Sequence, residues 1–126
     1  MAQAGGYNET LGIMDGPVGD GWAEVRLRAG DGHLNPAGAV HGGAIMGLID
    51  VAMGRAAASL SAGDELPATI EMKVNFLEPG RPGDIMAQAR VLRRGRRFTV
   101  LLAEVWQADG HDAVAEAIGT FVTPQE

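Results

Sequence analysis

The chain contains no cysteine, which excludes disulfides, thiolate metal sites and cysteine nucleophiles. Positive charge is scarce. Ten Lys and Arg stand against 16 Asp and Glu, a net charge of −6, so a broad nucleic-acid surface is not expected. No apolar run reaches membrane-spanning length, because glycines, Asp50 and Arg55 interrupt the longest one. Met1 to Gly6 lack a basic stretch followed by an apolar one, so no secretory signal is read there and a cytoplasmic protein is expected. There is neither an internal repeat nor a linker. The remaining reading is a single domain spanning residues 1–126, 46% hydrophobic and 21% charged, large enough to enclose a core.

The 19 glycines punctuate the chain into short elements. Residues 1–10 are polar and glycine-rich and are expected to fray. A short strand is expected over Leu11 to Met14, ended by Asp15, Gly16 and Pro17, with a hairpin turn at Gly19 to Gly21. Trp22 to Ala29 alternates, with Ala23, Val25, Leu27 and Ala29 on one face. Alternation returns over Thr69 to Phe76, Ile85 to Leu92 is a third long strand with Ile85, Ala87, Ala89 and Val91 on one side, and Phe98 to Gln107 and Ala113 to Val122 are read as further strands, with short turns between. Strands, one long helix, then more strands imply an α+β fold with the helix on one face of an antiparallel sheet.

The helix begins near His41, Gly42 and Gly43 and is expected to end near Ser61 to Gly63. Projected at about 100° per residue, Ile45, Leu48, Ile49, Ala52 and Ala56 form the sheet-facing side. Gly43, Gly47, Gly54 and Ala57 fall on the side of Asp50, flanked by Met46 and Met53. Each glycine costs a helix about 1 kcal/mol against alanine, so either a second helix or a ligand is expected to approach that stripe closely. A carboxylate in so apolar a helix is expensive unless something specific meets it. Its i±3 and i±4 neighbours, Gly47, Met53, Met46 and Gly54, offer nothing. A functional role for Asp50 is therefore preferred to a structural one.

At the other end of the helix, Gly42 and Gly43 sit where the first amide N–H groups lack helical partners. A ligand oxygen could reach these donors, and the helix dipole favours negative charge there. That is the chemistry of an oxyanion hole. Asn35 and His41 are further donors nearby, with equal claims as an Asx-turn residue and a helix cap. Gly42 and Asp50 are eight residues apart, about 12 Å along one helix. A base and an oxyanion hole must both approach one reacting centre to about 3 Å. If both act, the site lies between two subunits, and two-fold symmetry gives two equal sites.

These residues carry a resemblance. The pattern N-x-x-G-x-x-H-G-G over Asn35 to Gly43, followed by Asp50, resembles the hotdog-fold acyl-CoA thioesterases of the phenylacetate-pathway (PaaI-like) type. The run from Thr69 to Gly80, then Gly83 and Asp84, and the basic turn at Gly95 and Arg96 also look like that family, so the likeness covers roughly residues 11–123. The family's opening helix is hardly visible. The resemblance implies a hotdog fold and hydrolysis of an aryl-acyl or medium-chain acyl-CoA to free acid and CoA. CoA would be part of the substrate, with no separate cofactor or metal. It implies homodimers with shared sites, often paired into homotetramers. It assigns the Gly42 N–H, helped by Asn35, to polarising the thioester carbonyl. Asp50 of the partner subunit becomes base or nucleophile, and Thr69 orients the water or the carboxylate.

Arg93, Arg94, Arg96 and Arg97 form the densest positive cluster. Contacts to CoA phosphates, with Arg96 and its neighbours Arg94, Gly95 and Arg97, stand against a solvated hairpin turn. Arg81 is a lesser candidate. Met46, Met53, Leu48 and Trp22 are candidates for the acyl pocket, or for core. A hotdog-fold hydratase using His41 with Asp50 and a non-catalytic acyl-CoA-binding protein are the competing functions.

Overall fold

The computed structural model describes residues 6–125. Six strands form one antiparallel sheet in the order β1-β2-β4-β5-β6-β3. They are β1 (Ile13–Gly19), β2 (Trp22–Ala29), β3 (Thr69–Phe76), β4 (Gly83–Arg94), β5 (Phe98–Gln107) and β6 (Ala113–Val122). A short helix α1 (Gly6–Leu11) precedes β1, and the long helix α2 (Gly42–Ala58) lies between β2 and β3. This is the hotdog arrangement, a sheet wrapped around one helix.

Two patterns meet in the core. Ile45, Leu48, Ile49, Ala52 and Ala56 are buried on α2 as its periodicity predicts. They face the inward residues of the strands: Ala23, Val25 and Leu27; Ile85, Ala87 and Ala89; Leu101, Ala103 and Val105. Each large aliphatic side chain buried this way contributes about 1.5–3 kcal/mol. The alanines opposite them let helix and sheet approach. Leu48 and Met53 are fully buried and so belong to the core rather than to a pocket. Trp22 alternates onto the outer face of the sheet, away from α2.

The structure departs from expectation at several boundaries. Residues 6–10, read from sequence as a fraying end, are helical and belong to α1, which is anchored by buried Leu11. The remaining residues expected to fray, 1–5, lie outside the described residues. α1 explains one helical glycine, because a Cβ on Gly47 would stand 2.7 Å from Leu11 Cδ2. The stripe of small residues thus accepts a second helix there, while Gly54 faces Phe121 of β6. Helix α2 stops at Ala58 because Ser59 turns back. Its hydroxyl donates to Ala56 O at 2.7 Å and accepts the Gly21 N–H at 2.7 Å. β1 runs on through Pro17 to Gly19, with its register broken between Asp15 and Val18. An edge strand tolerates both the proline and the irregularity. β4 extends past Leu92 because Arg93 and Arg94 still pair with Val100 and Thr99.

Among the described residues, no helix is long and apolar enough to cross a membrane. β3 is the other edge strand of the sheet. It contains no proline, and Ile70 and Phe76 are about half exposed (48% and 51%).

Candidate active site at the two ends of the central helix

The approach to α2 is a built turn. Asn35 Oδ1 accepts the N–H groups of Ala37 and Ala39 at 2.9 and 3.1 Å. The Asn35 N–H donates to Ala39 O at 2.8 Å, and the Gly38 N–H donates to Asn35 O at 3.0 Å. Asn35 therefore shapes the turn with its oxygen. Its Nδ2 donors find no partner among the described residues and remain free to meet a ligand.

His41 caps the helix. Its Nδ1 accepts the Gly43 N–H at 2.8 Å, and its carbonyl accepts the Ala44 N–H at 2.9 Å. Its own N–H donates to His33 O at 2.7 Å. A helix start leaves its first four N–H groups without helical partners. Three of these are now satisfied, which leaves the Gly42 N–H as the unpartnered one among the described residues. The ring of Phe76, at the end of β3, lies beside it, 3.3 Å from where a Gly42 Cβ would stand. The paired glycines are thus unequal. Gly43 serves the cap, and only Gly42 presents a donor outward at the positive end of the dipole.

His41 Nδ1 accepts a hydrogen bond, so Nε2 carries the ring proton of the neutral imidazole. His33 is likewise fixed: Nδ1 accepts the Gly30 N–H at 3.0 Å and Nε2 donates to Leu11 O at 2.6 Å. His33 ties the end of α1 to the turn before the site, a structural role that sequence spacing does not reveal.

Asp50 sits two turns further along α2 and is half-buried. The Thr69 hydroxyl donates to its Oδ1 at 2.5 Å. Arg55 takes no part, because it faces Asp15 at 3.8 Å and donates to Gly16 O at 3.2 Å. Asp50 has no ion-pair partner among the described residues. The structure thus brings Thr69 to Asp50 and His41 to Gly43. It leaves Gly42 and Asp50 separated by the helix rise, about 12 Å within one chain. Met46 is exposed beside this stripe.

The basic hairpin joins β4 to β5. The Gly95 N–H donates to Phe98 O at 2.8 Å and closes the turn. Arg94 Nη2 donates to Ser61 Oγ at 3.3 Å, tying the hairpin to the chain after α2. The exposed Arg96 and Arg97 have no acidic partner among the described residues. They border a cavity of about 550 Å³ with Phe98, Val122 and Gln125. Arg81, by contrast, pairs with Asp109 at 3.1 Å, which lowers the Asp109 carboxyl below the usual carboxylate range.

A second cavity, of about 260 Å³, opens on the outer face of the sheet between Trp22 and Trp106, with Arg90, Glu104 and Glu116. Glu104 and Glu116 are cross-strand partners. Burial, then the hydrogen bond and charge of Glu116, push the Glu104 carboxyl above the usual range, while Arg90 opposes this. Among the described residues, no group of three or more His, Asp or Glu is placed to hold a metal ion.

The comparisons with known proteins accord with this architecture. A Saccharolobus solfataricus protein named provisionally as an esterase is 41% identical over 85 residues, 67% of this chain. The match spans only 59% of that protein's length. A solved structure of a conserved Pseudomonas aeruginosa protein is 42% identical, with a TM-score of 0.88 over 98% of this chain and 96% of that one. Another, from Ralstonia eutropha, is described provisionally as a thioesterase related to phenylacetic acid degradation. It is 32% identical, with a TM-score of 0.81 over 96% of this chain and 92% of that one. The family model described as the thioesterase superfamily matches residues 37–114, from the turn before α2 into the start of β6, and this chain belongs to that superfamily.

Proposed function

We propose that the protein hydrolyses an acyl-CoA thioester to the free acid and CoA, in sites shared between two copies of the chain. The observation that carries this reading is the free Gly42 N–H on the same helix as Asp50. Gly42 donates to the thioester oxygen as it gains charge, helped by Asn35 Nδ2. Asp50 of the partner subunit, oriented by Thr69, acts as general base on water or as nucleophile. The step uses no metal and no cofactor. Arg96 and Arg97, with Arg94 and Gly95 shaping the hairpin, meet the CoA phosphates.

The unprotected edge of β3 supports the pairing. An edge without proline and with half-exposed Ile70 and Phe76 is a template for a second copy. That edge also carries Thr69 at one end and Phe76, beside Gly42, at the other. Two such dimers would form the homotetramer, and a cytoplasmic location fits a CoA-dependent hydrolase. Aryl-acyl and medium-chain acyl groups are the substrates to try first.

The hydratase reading asks His41 to act as a base. Its Nδ1 is committed to the Gly43 N–H, which favours hydrolysis. The test is thiol release over a panel of acyl-CoAs, comparing the wild type with Asp50→Asn. Turnover lost by about 10²–10⁴-fold with the fold intact supports the reading. Near-normal hydrolysis in the variant refutes the role of Asp50. Hydration of an enoyl-CoA without thiol release would establish the hydratase, and binding without turnover a non-catalytic acyl-CoA-binding protein.

A further inference from the structure

Contacts around α2 fix which way each of its residues looks. On one flank Arg55 reaches Asp15 and Gly16 of β1. On the other, Met53 meets β6, where a Cβ on Gly119 would stand 2.8 Å from Met53 Sδ. Asp50 looks out between these flanks. At about 100° per residue, Gly47 falls about 60° from Asp50 towards the Arg55 side, and Met46 about 40° the other way. Helix α1 is seated over Gly47. Leu11 Cδ2 and Tyr7 Cε2 would stand 2.7 and 3.7 Å from a Cβ there.

Tyr7 is the one tyrosine of the chain. Its ring is 64% exposed, and its hydroxyl has no hydrogen-bond partner among the described residues. The end of α1 is nevertheless fixed. The Gly12 N–H donates to Asn8 O and Glu9 O, both at 3.0 Å, and His33 Nε2 donates to Leu11 O at 2.6 Å. Tyr7 is therefore held in place on α2 while most of its ring stays open.

The distance to Asp50 is short. Cβ positions three apart on a helix are about 5–6 Å from each other, so Tyr7 Cε2 lies within about 10 Å of Asp50 Cβ. An acyl group whose carbonyl sits about 3 Å from that carboxylate spans the gap with a single ring. Met46, 38% exposed on the other side of Asp50, offers a thioether that suits an aromatic edge. We propose that Tyr7 is a specificity-determining residue of the thioesterase site. Its ring forms the wall of the acyl pocket beside Asp50, with Met46 on the other side, and favours a ring-bearing acyl group over a straight alkyl chain. A flat ring gains from offset stacking on the phenol beyond its burial, whereas an alkyl chain gains burial alone and loses rotamer freedom. The inference rests on the thioesterase reading above and narrows its acyl group.

The test has two arms. In the first, kcat/KM for phenylacetyl-CoA and for octanoyl-CoA is measured in the wild type, Tyr7→Ala and Tyr7→Phe. Tyr7→Ala is expected to shift the ratio of the two values about tenfold towards octanoyl-CoA, and Tyr7→Phe to retain the wild-type ratio. A fall in both values by the same factor would mean that Tyr7 only supports α1, and overturns the proposal. So does a shift the other way, which would make Tyr7 a limit on chain length rather than a stacking wall. In the second arm, phenylacetyl-CoA and CoA are titrated calorimetrically into Asp50→Asn and into Asp50→Asn combined with Tyr7→Ala. Loss of the ring should weaken phenylacetyl-CoA by about tenfold and leave CoA as it was. Equal phenylacetyl-CoA affinity in the two variants overturns the proposal. If the wild type hydrolyses neither thioester, the thioesterase reading fails, while the titrations still decide whether Tyr7 meets the acyl group.

Discussion

Thr69, the first residue of β3, donates a 2.5 Å hydrogen bond to Asp50 in the middle of α2. The bond joins an edge strand to the central helix at the one carboxylate the helix carries. It occupies one carboxylate oxygen and leaves the other for chemistry. It also ties the aim of that carboxylate to the position of β3, the edge on which a second copy would pair.

Removing the hydroxyl should therefore disorient Asp50 without exposing core. Thr69→Val is expected to lower kcat by about 10- to 100-fold, the usual worth of a hydrogen bond to a charged group. Thr69→Ser should restore most of it. Steady-state thiol release measures both, and equal rates in Val and Ser variants would show that the hydroxyl does not matter.

Subunit sharing has a sharper test. Gly42→Pro removes the N–H left unpartnered at the start of α2 among the described residues, at a position where helices accept proline, although Phe76 must shift slightly. Gly42→Pro and Asp50→Asn should each be nearly inactive alone. Unfolded together and refolded as a mixture, they should regain about a quarter of wild-type activity, because half the dimers are mixed and each mixed dimer holds one intact site. No recovery would place both groups in one chain's site, against the helix geometry.

The outer-face carboxylates make a pH prediction. The folded-state pKa of Glu104 is raised, first by burial and then by Glu116, so folding favours its protonated form. That contribution is fully present below the unfolded carboxyl's titration. It is lost as pH rises through the folded value. Glu104→Gln should therefore raise Tm near pH 7 and change it little near pH 4. The part of the effect that comes from the charge of Glu116 should shrink in high salt, because Glu116 is exposed and Glu104 only partly buried. Thermal melts across that range check the sign.

Leu11 should matter more than its place near the chain start suggests. Leu11→Ala removes the buried anchor of α1 from Gly47 and is expected to cost about 2–3 kcal/mol. Denaturant midpoints measure the loss, and hydrogen exchange should show α1 opening before the sheet.

The sheet and the helix were largely legible in the sequence, because each writes its period directly into the chain. Trp22–Ala29 and Thr69–Phe76 alternate, Phe98–Gln107 and Ala113–Val122 are set off by the turns that flank them, and all four strands have the boundaries read from the sequence. α1 was not legible: six residues carry too little period, and its one anchor depends on a glycine 36 positions away. Pro17 read as a strand terminator because sequence does not reveal which strand forms an edge, and an edge tolerates proline.

At the site, the sequence by itself determined the inventory. It set one carboxylate in an apolar helix, a glycine pair at the helix start, and enough helical distance to keep the two apart. Tertiary structure decided which of these groups are already committed. Gly43 is taken by His41, the Asn35 oxygen by its own turn, and Asp50 is met by Thr69, 19 residues further on. Hydrogen bonds act over about 3 Å of space, whereas sequence order fixes only the positions that share a helix turn or a strand face. A partner supplied by another element, as Thr69 is for Asp50 and Gln125 for the basic hairpin, is set only when the chain closes on itself.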